Sequence, residues 1–191
     1  CKESRMRVVA LIENTKPEGR EDLVAEHGLA LYIEQENRRI LFDTGATGAF
    51  AHNARKLGIN LEDADAVVLS HHHYDHGGGL ARFTEINHQA KIYLRKSREE
   101  DYRFRAFGII SRYIGLDRNL LRRQADRVEF IDCFTEILPG VYILTDIPQH
   151  HALPKGNRRL CMKKDGRYMP DSFQHELIMV VREEKGLVIF T

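Results

Sequence analysis

Several informative residue types are scarce among the 191 residues: there are three cysteines, five prolines and no tryptophan. Cys1, Cys133 and Cys161 are odd in number and widely spaced, which excludes a disulfide framework. We therefore expect a reducing compartment, the cytoplasm. No apolar stretch approaches the ~18–20 residues of a membrane helix, so no membrane partner is expected.

Net charge is also scarce, because 29 basic residues face 28 acidic ones for a formal total of +1. A near-neutral chain is not typical of a general nucleic-acid binder. The charge is unevenly placed, however. Residues 91–127 hold eleven Lys or Arg against five Asp or Glu, which is +6, and the remaining 18 basic and 23 acidic residues sum to −5.

The order of predicted elements indicates a layered α/β architecture in a single domain, residues 1–191, without repeats or linkers. Strands come first as a meander and later alternate with helices. Strands are predicted at residues 7–13, 28–35, 39–43, 64–70, 91–94, 128–131, 141–147, 176–182 and 187–191. Helices are predicted at residues 48–57, 80–86 and, for most of its length, 97–124.

A histidine cluster follows the buried strand 64–70, in the segment SHHHYDHGGGL that starts at Ser70. In an extended chain, residues i and i+2 face the same side, so His71 and His73 can face one cation. Asp75 and His76 come where the chain turns, and can face a second cation. His72 points the other way, which suits a supporting or solvent-facing position.

Two simpler explanations of the cluster are a surface tract and a purification-tag remnant. A tag would be terminal and would lack Asp75, and a surface tract would not follow a buried strand. Imidazole and carboxylate together suit Zn²⁺, with Fe or Mn as alternatives, whereas Ca²⁺ and Mg²⁺ prefer oxygen ligands. The carboxyl ends of strands in open α/β sheets are also where active sites collect.

Asp43, in the sequence FDTG, ends the predicted strand 39–43. A carboxylate at such a strand end often accepts the second N–H of a histidine ligand and so fixes its tautomer. An ordinary turn-forming Asp before Thr-Gly explains the same residue equally well.

The pattern from His71 to His76, HxHxDH after a strand, resembles the signature of the metallo-β-lactamase superfamily, and the FDTG segment resembles its usual partner motif. The segments LIENT, EHGL, ILFDTG and SHHHYDHGGGL are similar to one branch. That branch is the family of 7,8-dihydropterin-6-methyl-4-(β-D-ribofuranosyl)-aminobenzene-5′-phosphate synthase-like proteins. The resemblance is close over residues 6–95 and looser over 140–191.

The resemblance implies an αββα sandwich with two metal ions. Related proteins use two later histidines, in a Gly-Cys-x-His and a His-Cys-Thr-Gly segment, and both would lie beyond Thr191. We therefore expect this chain to lack the C-terminal part of the domain. Substitute ligands within the chain are open, with His175 the first choice among these candidates: His150, His151, Cys161, Asp171 and His175.

Two divalent transition-metal ions would lower the pKa of a bridging water from ~15.7 toward ~7. Asp75 would bind metal and orient the nucleophile, as the one catalytic side chain, while His71, His73 and His76 would be ligands. Asp43 would support a histidine ligand from behind.

The basic segment 91–127 also holds five of the sixteen aromatic residues, so we expect it to bind a small anionic, phosphorylated, ring-bearing substrate. Arg103, Arg105 and Arg112 are the candidate substrate contacts, on the helical insertion 97–124. A solvated amphipathic helix and a homodimer contact are the alternatives.

Three function classes follow. The first is a metal-dependent hydrolase-type enzyme on a small anionic substrate. The second is metal-dependent nucleic-acid processing, which the near-neutral charge disfavours. The third is metal binding without turnover.

Overall fold

The computed structural model describes residues 6–97, 101–107, 109–148, 150–152 and 154–191. Its strands are β1 (Arg7–Ile12), β2 (Ala30–Gln35), β3 (Arg38–Phe42), β4 (Ala66–Val68), β5 (Lys91–Arg95), β6 (Tyr102–Ala106), β7 (Ile110–Tyr113), β8 (Val128–Ile131), β9 (Thr135–Leu138), β10 (Val141–Leu144), β11 (Leu160–Lys164), β12 (Arg167–Pro170), β13 (Ile178–Glu183) and β14 (Gly186–Phe190). Its α-helices are α1 (Ala49–Lys56), α2 (Tyr74–Gly77), α3 (Leu80–Ile86) and α4 (Arg118–Arg123), and Leu61–Asp63 and Lys155–Arg159 form 3₁₀ turns. No helix in these ranges has the length and apolar character needed to cross a bilayer.

A six-stranded sheet in the order β1-β2-β3-β4-β5-β8 forms the centre of the molecule. The first three strands are antiparallel, and β3, β4, β5 and β8 run parallel. Parallel strands need crossover connections, and α1, α3 and α4 lie within them. These helices bury Phe50, Phe83 and Leu120 in one cluster with Val67 and Ile92 of the sheet. The helical layer therefore covers one face of the sheet.

The opposite face packs against a four-stranded antiparallel sheet in the order β14-β13-β10-β9. Phe42 of β3 meets Phe190 of β14 with ring centroids 5.8 Å apart. Val141, Met179 and the neighbouring inward-facing residues complete this second core cluster. The two sheets and the helices thus form the mixed α/β layers expected of a metallo-β-lactamase fold.

Helix, sheet and sheet are three of the four layers of the expected αββα sandwich. Within the described ranges, no helix contributes to the core cluster between the sheets or lies against β14, whose Leu187 and Ile189 are 63% and 60% exposed. The predicted strands of both large sheets begin and end within three residues of their expected bounds.

The prediction of a mostly helical segment at residues 97–124 is wrong. β6 and β7 form a hairpin there, and among the residues of this stretch that the structure describes only Arg118–Arg123 is α-helical. The alternation of aromatic Tyr102 and Phe104 with Arg103 and Arg105 is the two-residue period of a strand, and this period prevails over the helical propensity of the arginines. The hairpin belongs to a third sheet in the order β12-β11-β6-β7.

The β11–β12 hairpin of the third sheet was missed in the sequence. Its turn is Asp165-Gly166, with φ of 48° and 78°, and Asp-Gly is a strong hairpin signal. Backbone hydrogen bonds at the ends of its strands join the third sheet to segments that carry candidate site residues. The backbone N–H of Tyr74 donates to the oxygen of Ile114 at 2.8 Å, and that of Asp171 donates to Leu160 at 3.0 Å.

Candidate metal centre

The histidine cluster lies at the carboxyl end of β4, where His73 is still extended and α2 begins at Tyr74. The glycines that follow allow this turn to pack closely on the loop after β3. A Cβ at Gly78 would collide with the carbonyl oxygen of Ala46, and one at Gly79 with those of Thr44 and Thr47. The segment therefore packs directly on the loop after β3, at the carboxyl ends of the parallel strands.

The structure brings His71, Asp75 and His76 together, with one ligand atom from each within 4.8 Å of the others. We call these three residues the first donor set. The His71 and His76 ring centroids are 4.2 Å apart. Burial and the neighbouring histidines hold the pKa of His71 well below its ordinary value. A neutral imidazole is the form that binds a metal ion.

A second donor set consists of His73, Asp171 and His175, all buried, and it meets the same 4.8 Å criterion. Nε2 of His73 lies 3.0 Å from Oδ2 of Asp171. The two sets are adjacent, because the rings of His71 and His73 meet edge to face with centroids 4.8 Å apart. The grouping differs from that expected from strand alternation, which placed His71 with His73, because Asp171 lies against His73 and draws it into a separate set.

Asp171 is a buried carboxylate that several donors surround. Burial raises its pKa, but hydrogen bonds from His175 and His73 outweigh this effect and the net pKa is lowered. The backbone N–H of Phe173 also donates to Asp171, at 2.9 Å. Among the described residues, the other substitutes His150, His151 and Cys161 belong to neither set. His150 and His151 are exposed.

His175 reaches the site as expected, and its protonation is fixed by what its two ring nitrogens contact. Nδ1 accepts the backbone N–H of His72 at 3.1 Å, so this nitrogen is unprotonated. Burial lowers the pKa of His175, which favours the neutral ring. The one proton of a neutral ring is then at Nε2, which lies 3.2 Å from both oxygens of Asp171. In this arrangement His175 donates to Asp171.

His72 is buried and does not face solvent. Its Nε2 donates to the carbonyl oxygen of Arg95 at 2.7 Å, and burial lowers its pKa to about 4. Its backbone amide holds His175, as described above. The supporting position that strand alternation allowed is thus the one that the structure shows.

Asp43 lies behind the first donor set, fully buried, with a left-handed φ of 59°. Its carboxylate accepts three hydrogen bonds of 2.7 Å each, from the backbone N–H of Ser70, from Oγ of Ser70 and from Nδ1 of His76. Burial raises the pKa of Asp43, and these donors act against the rise. Burial also lowers the pKa of His76, but Asp43 outweighs this and the net pKa is raised. Nδ1 of His76 is occupied, which leaves Nε2 for a ligand.

His27 lies beside the first donor set and is not among the residues that the sequence singles out. Its Nε2 lies 3.4 Å from Oδ2 of Asp75, although 78% of its side chain is exposed. Glu26 fixes this loop by accepting the backbone N–H groups of Ala46 and Thr47 at 3.0 and 3.1 Å. A Cβ at Gly28 would collide with the carbonyl oxygen of Asp75, so glycine allows the close approach.

The three candidate substrate arginines occupy different positions on the third sheet. Arg112 stacks over Tyr74, with its guanidinium carbon 5.2 Å from the ring centroid. Arg103 and Arg112 both line a cavity of about 780 Å³ beside α2, together with Arg118 and Arg122. Arg105 is not part of that lining, and lies over Tyr168 at 4.6 Å.

The donor chemistry of the two sets fits transition-metal ions. Imidazole nitrogens and carboxylate oxygens in groups of three match the ligand types and number of catalytic zinc sites, which keep a position open. The buried carboxylate of Asp43 behind His76 is the support that metal-binding histidines usually have. His71, His76 and Asp75 would hold one ion, and the set of His73, Asp171 and His175 a second.

Comparison with known proteins agrees with this geometry. The family model described as the metallo-beta-lactamase superfamily matches residues 23–154. Over 179 residues, the chain is 28% identical to the 7,8-dihydropterin-6-methyl-4-(beta-D-ribofuranosyl)-aminobenzene-5'-phosphate synthase of Methanocaldococcus jannaschii, covering 86% of this chain and 60% of that protein. It is 30% identical to the uncharacterized protein MJ0448 of the same organism, covering 94% of this chain and 66% of that protein.

Among solved structures, the crystal structure of Tm1679, described as a metal-dependent hydrolase of the beta-lactamase superfamily, superposes with a TM-score of 0.76 and 31% identity. That match covers 98% of this chain and 65% of Tm1679. The chain thus spans less than two thirds of the length of each of these relatives. With a matching family model over well more than half of its residues, the chain belongs to the metallo-β-lactamase superfamily.

Proposed function

We propose that this protein is a metal-dependent hydrolase-type enzyme that acts on a small anionic substrate through a metal-activated water. The observation that carries the proposal is the pair of adjacent donor sets, which are in contact through the rings of His71 and His73. Two ion sites side by side are typical of enzymes that displace a phosphate or acyl oxygen.

The cofactors in this proposal are two divalent transition-metal ions, with zinc as the first choice and iron or manganese as alternatives. Bound there, they would supply Lewis acidity and a nucleophile at neutral pH. Asp75 is 19% exposed, which allows its carboxylate to bind and also to orient the nucleophile. Asp43 fixes the tautomer of His76 through Nδ1.

The second donor set receives a revised assignment in this proposal. His73 and Asp171 serve as ligands, and His175 holds Asp171 in place by donating from Nε2. A ligand role for His175, the role expected from the sequence, would require Nε2 to lose its proton or the His72 hydrogen bond to break. The substitution His175→Gln separates the two assignments.

The substrate proposed is phosphorylated and ring-bearing, like the compound in the name of the Methanocaldococcus jannaschii relative. The cavity beside α2 supports this choice, because Arg103, Arg112, Arg118 and Arg122 line it together with Tyr74. Arginine presents a planar fork of donors to phosphate oxygens, and a tyrosine face can stack on a ring. The relative is called a synthase, so assays must follow group transfer as well as hydrolysis.

The proposal is tested by metal analysis combined with turnover. Protein stripped with a chelator and reconstituted with Zn²⁺, Mn²⁺ or Fe²⁺ is assayed against chromogenic phosphomonoesters, phosphodiesters and carboxylic esters. We expect one to two ions per chain and turnover only after reconstitution. Stoichiometric metal without turnover on any phosphorylated or ester substrate would support the third function class, metal binding alone. Cleavage of RNA or DNA that falls steeply with salt would support nucleic-acid processing.

A further inference from the structure

A second cavity, of about 710 Å³, lies on the His175 side of the donor sets. It is bordered by the end of β5, the loop after β10 and the segment before β13, and Arg95, Thr145 and His175 are among its lining residues. Its volume is within the range of ~300–1,000 Å³ that is usual for small-molecule sites. Within the described residues, its lining shares no residue with that of the cavity beside α2. The two cavities are therefore separate.

Arg95 brings unused hydrogen-bonding capacity to this cavity. Its side chain is only 16% exposed, and its Nε and Nη1 atoms are buried without a hydrogen-bond partner among the residues that the structure describes. Nη2 lies 3.2 Å from Oδ1 of Asp146, whose side chain is 87% exposed. Buried donors without partners cost free energy, and native structures contain few of them. Two such donors on one guanidinium point to a ligand.

Another buried arginine, Arg127, shows what a purely structural role looks like in the same chain. Its Nε donates to the oxygen of Ala90 at 3.0 Å, and its two terminal nitrogens donate to Gln124 and Asn87 at 3.3 and 3.5 Å. All three nitrogens of Arg127 are thus paired with protein atoms. Arg95 has one such contact, so burial alone does not explain its state.

Thr145 gives a second, independent observation in the same cavity. It is 6% exposed, and its Oγ1 is buried with no hydrogen-bond partner in the described part of the chain. Lys96 and Lys164 also line the cavity, against the carboxylates of Asp146 and Glu176. The lining thus holds three cationic and two anionic side chains, although Lys96 pairs with Asp132 outside it at 3.6 Å. The buried donors without a partner among the described residues are Nε and Nη1 of Arg95 and Oγ1 of Thr145.

We propose that the Arg95–Thr145 cavity is an oxyanion subsite that binds a phosphate group of the substrate. The guanidinium fork matches two oxygens of a tetrahedral oxyanion, and a threonine hydroxyl can donate to a third. A phosphate there would be held beside His175, next to the second donor set. The link to the substrate rests on the proposed function, whereas oxyanion binding itself does not.

The test uses inorganic phosphate and protein stripped of metal, so that phosphate cannot bind to an ion. Calorimetry and ³¹P NMR compare the wild type with Arg95→Met, Thr145→Val and the matched control Arg105→Met. Thr145→Val keeps the shape and removes only the hydroxyl, so it remains informative if Arg95→Met fails to fold. We expect the dissociation constant for phosphate to rise tenfold or more for Arg95→Met, about threefold or more for Thr145→Val, and not at all for the control.

Absence of phosphate binding in the wild type, or an equal loss in the control, would overturn the subsite. A parallel measurement separates this proposal from the proposed function. If reconstituted protein turns over phosphorylated substrates but Arg95→Met and Thr145→Val leave both phosphate affinity and KM unchanged, only the subsite is wrong. If the variants lose phosphate affinity but no metal-dependent turnover exists, the subsite stands and the enzyme assignment fails.

Discussion

The two donor sets differ in how the chain builds them. The first set, His71, Asp75 and His76, comes from six consecutive residues at one strand end and is partly exposed. The second set is buried and joins residues far apart, since His73 and Asp171 are separated by 98 positions. A contiguous set can persist when distant parts of the fold shift, whereas the second set exists only if the segment 171–175 docks correctly. The first set should therefore be the more robust of the two.

The largest effect is expected from removing His71 and His73, whose rings are in contact where the two donor sets meet. His71→Ala combined with His73→Ala takes one imidazole from each set. The wild type should hold one to two ions per chain, and we expect the double variant to hold only a trace of metal. Elemental analysis of purified protein measures this. His52→Ala is the control, because His52 contacts the backbone oxygen of Asp22 and belongs to neither set. Unchanged metal content in the double variant would show that this is not the metal site.

Asp171→Asn should separate the sets, because it removes a buried anionic ligand while preserving its shape. We expect the loss of about one ion per chain, with the ion of the first set retained. Co²⁺ substitution followed by absorption spectroscopy distinguishes one occupied site from two. His175→Gln should have a smaller effect than Asp171→Asn if His175 donates to Asp171, and an equal effect if His175 is itself a ligand. Loss of both ions in Asp171→Asn would contradict independent sets.

Asp43→Asn tests the support behind the first set. An asparagine oxygen can still accept a hydrogen bond from His76, but the negative charge is lost, and the metal affinity or activity should fall by roughly 10–100-fold. The far-UV circular dichroism spectrum should be unchanged. Wild-type kinetics together with wild-type metal content would reduce Asp43 to a turn residue.

The pH dependence of metal binding should also distinguish the sets. Asp43 and Asp75 keep a proton on His76 to a higher pH than the usual ~6.5, and this proton must leave before Nε2 binds metal. Affinity at the first set should therefore fall by about tenfold for each pH unit below the raised pKa, and level off above it. Calorimetric titrations with Zn²⁺ between acidic and neutral pH measure the profile. In Asp43→Asn the midpoint should move to lower pH, and an unmoved midpoint would exclude His76 as the titrating group.

The smallest effect is expected at the substrate arginines. Arg112→Glu should raise KM for a phosphorylated substrate by around tenfold, which corresponds to ~1.4 kcal/mol, with little change for an uncharged ester. Arg105→Glu is the matched control, because Arg105 lies outside the cavity lining and over Tyr168. Equal effects of the two variants, or on the two substrates, would instead indicate a structural or dimer role for this hairpin.

The residues of the first set could be named from the sequence because strand end, ligand types and glycine turn all lie within one short segment, although the sequence grouped His71 with His73 and Asp75 with His76. Asp43 was likewise accessible, as a carboxylate at the end of the neighbouring strand. Asp171 was only one of several candidates, since no local pattern shows which distant loop will reach His73. His27 was missed for the same reason: its position depends on the contacts of Glu26 with another loop.

The error at residues 97–124 has a different origin. Arginine and leucine favour helices, and their abundance there concealed the alternation around Phe104. The isoleucines of this segment differ in burial, since Ile114 is buried and Ile109 is 87% exposed. The Asp165-Gly166 turn was a readable signal, and it would have indicated the partner hairpin of the third sheet.

Two backbone hydrogen bonds, from Tyr74 to Ile114 and from Asp171 to Leu160, connect the third sheet to the donor sets. One bond is made by Tyr74, which lies between His73 and Asp75, and the other is made by Asp171. The third sheet therefore contacts both donor sets, and Arg112 lies on the same sheet. A substrate that displaces Arg112 would therefore displace residues of both sets at once. A shift of the sheet would weaken ion binding and substrate binding together.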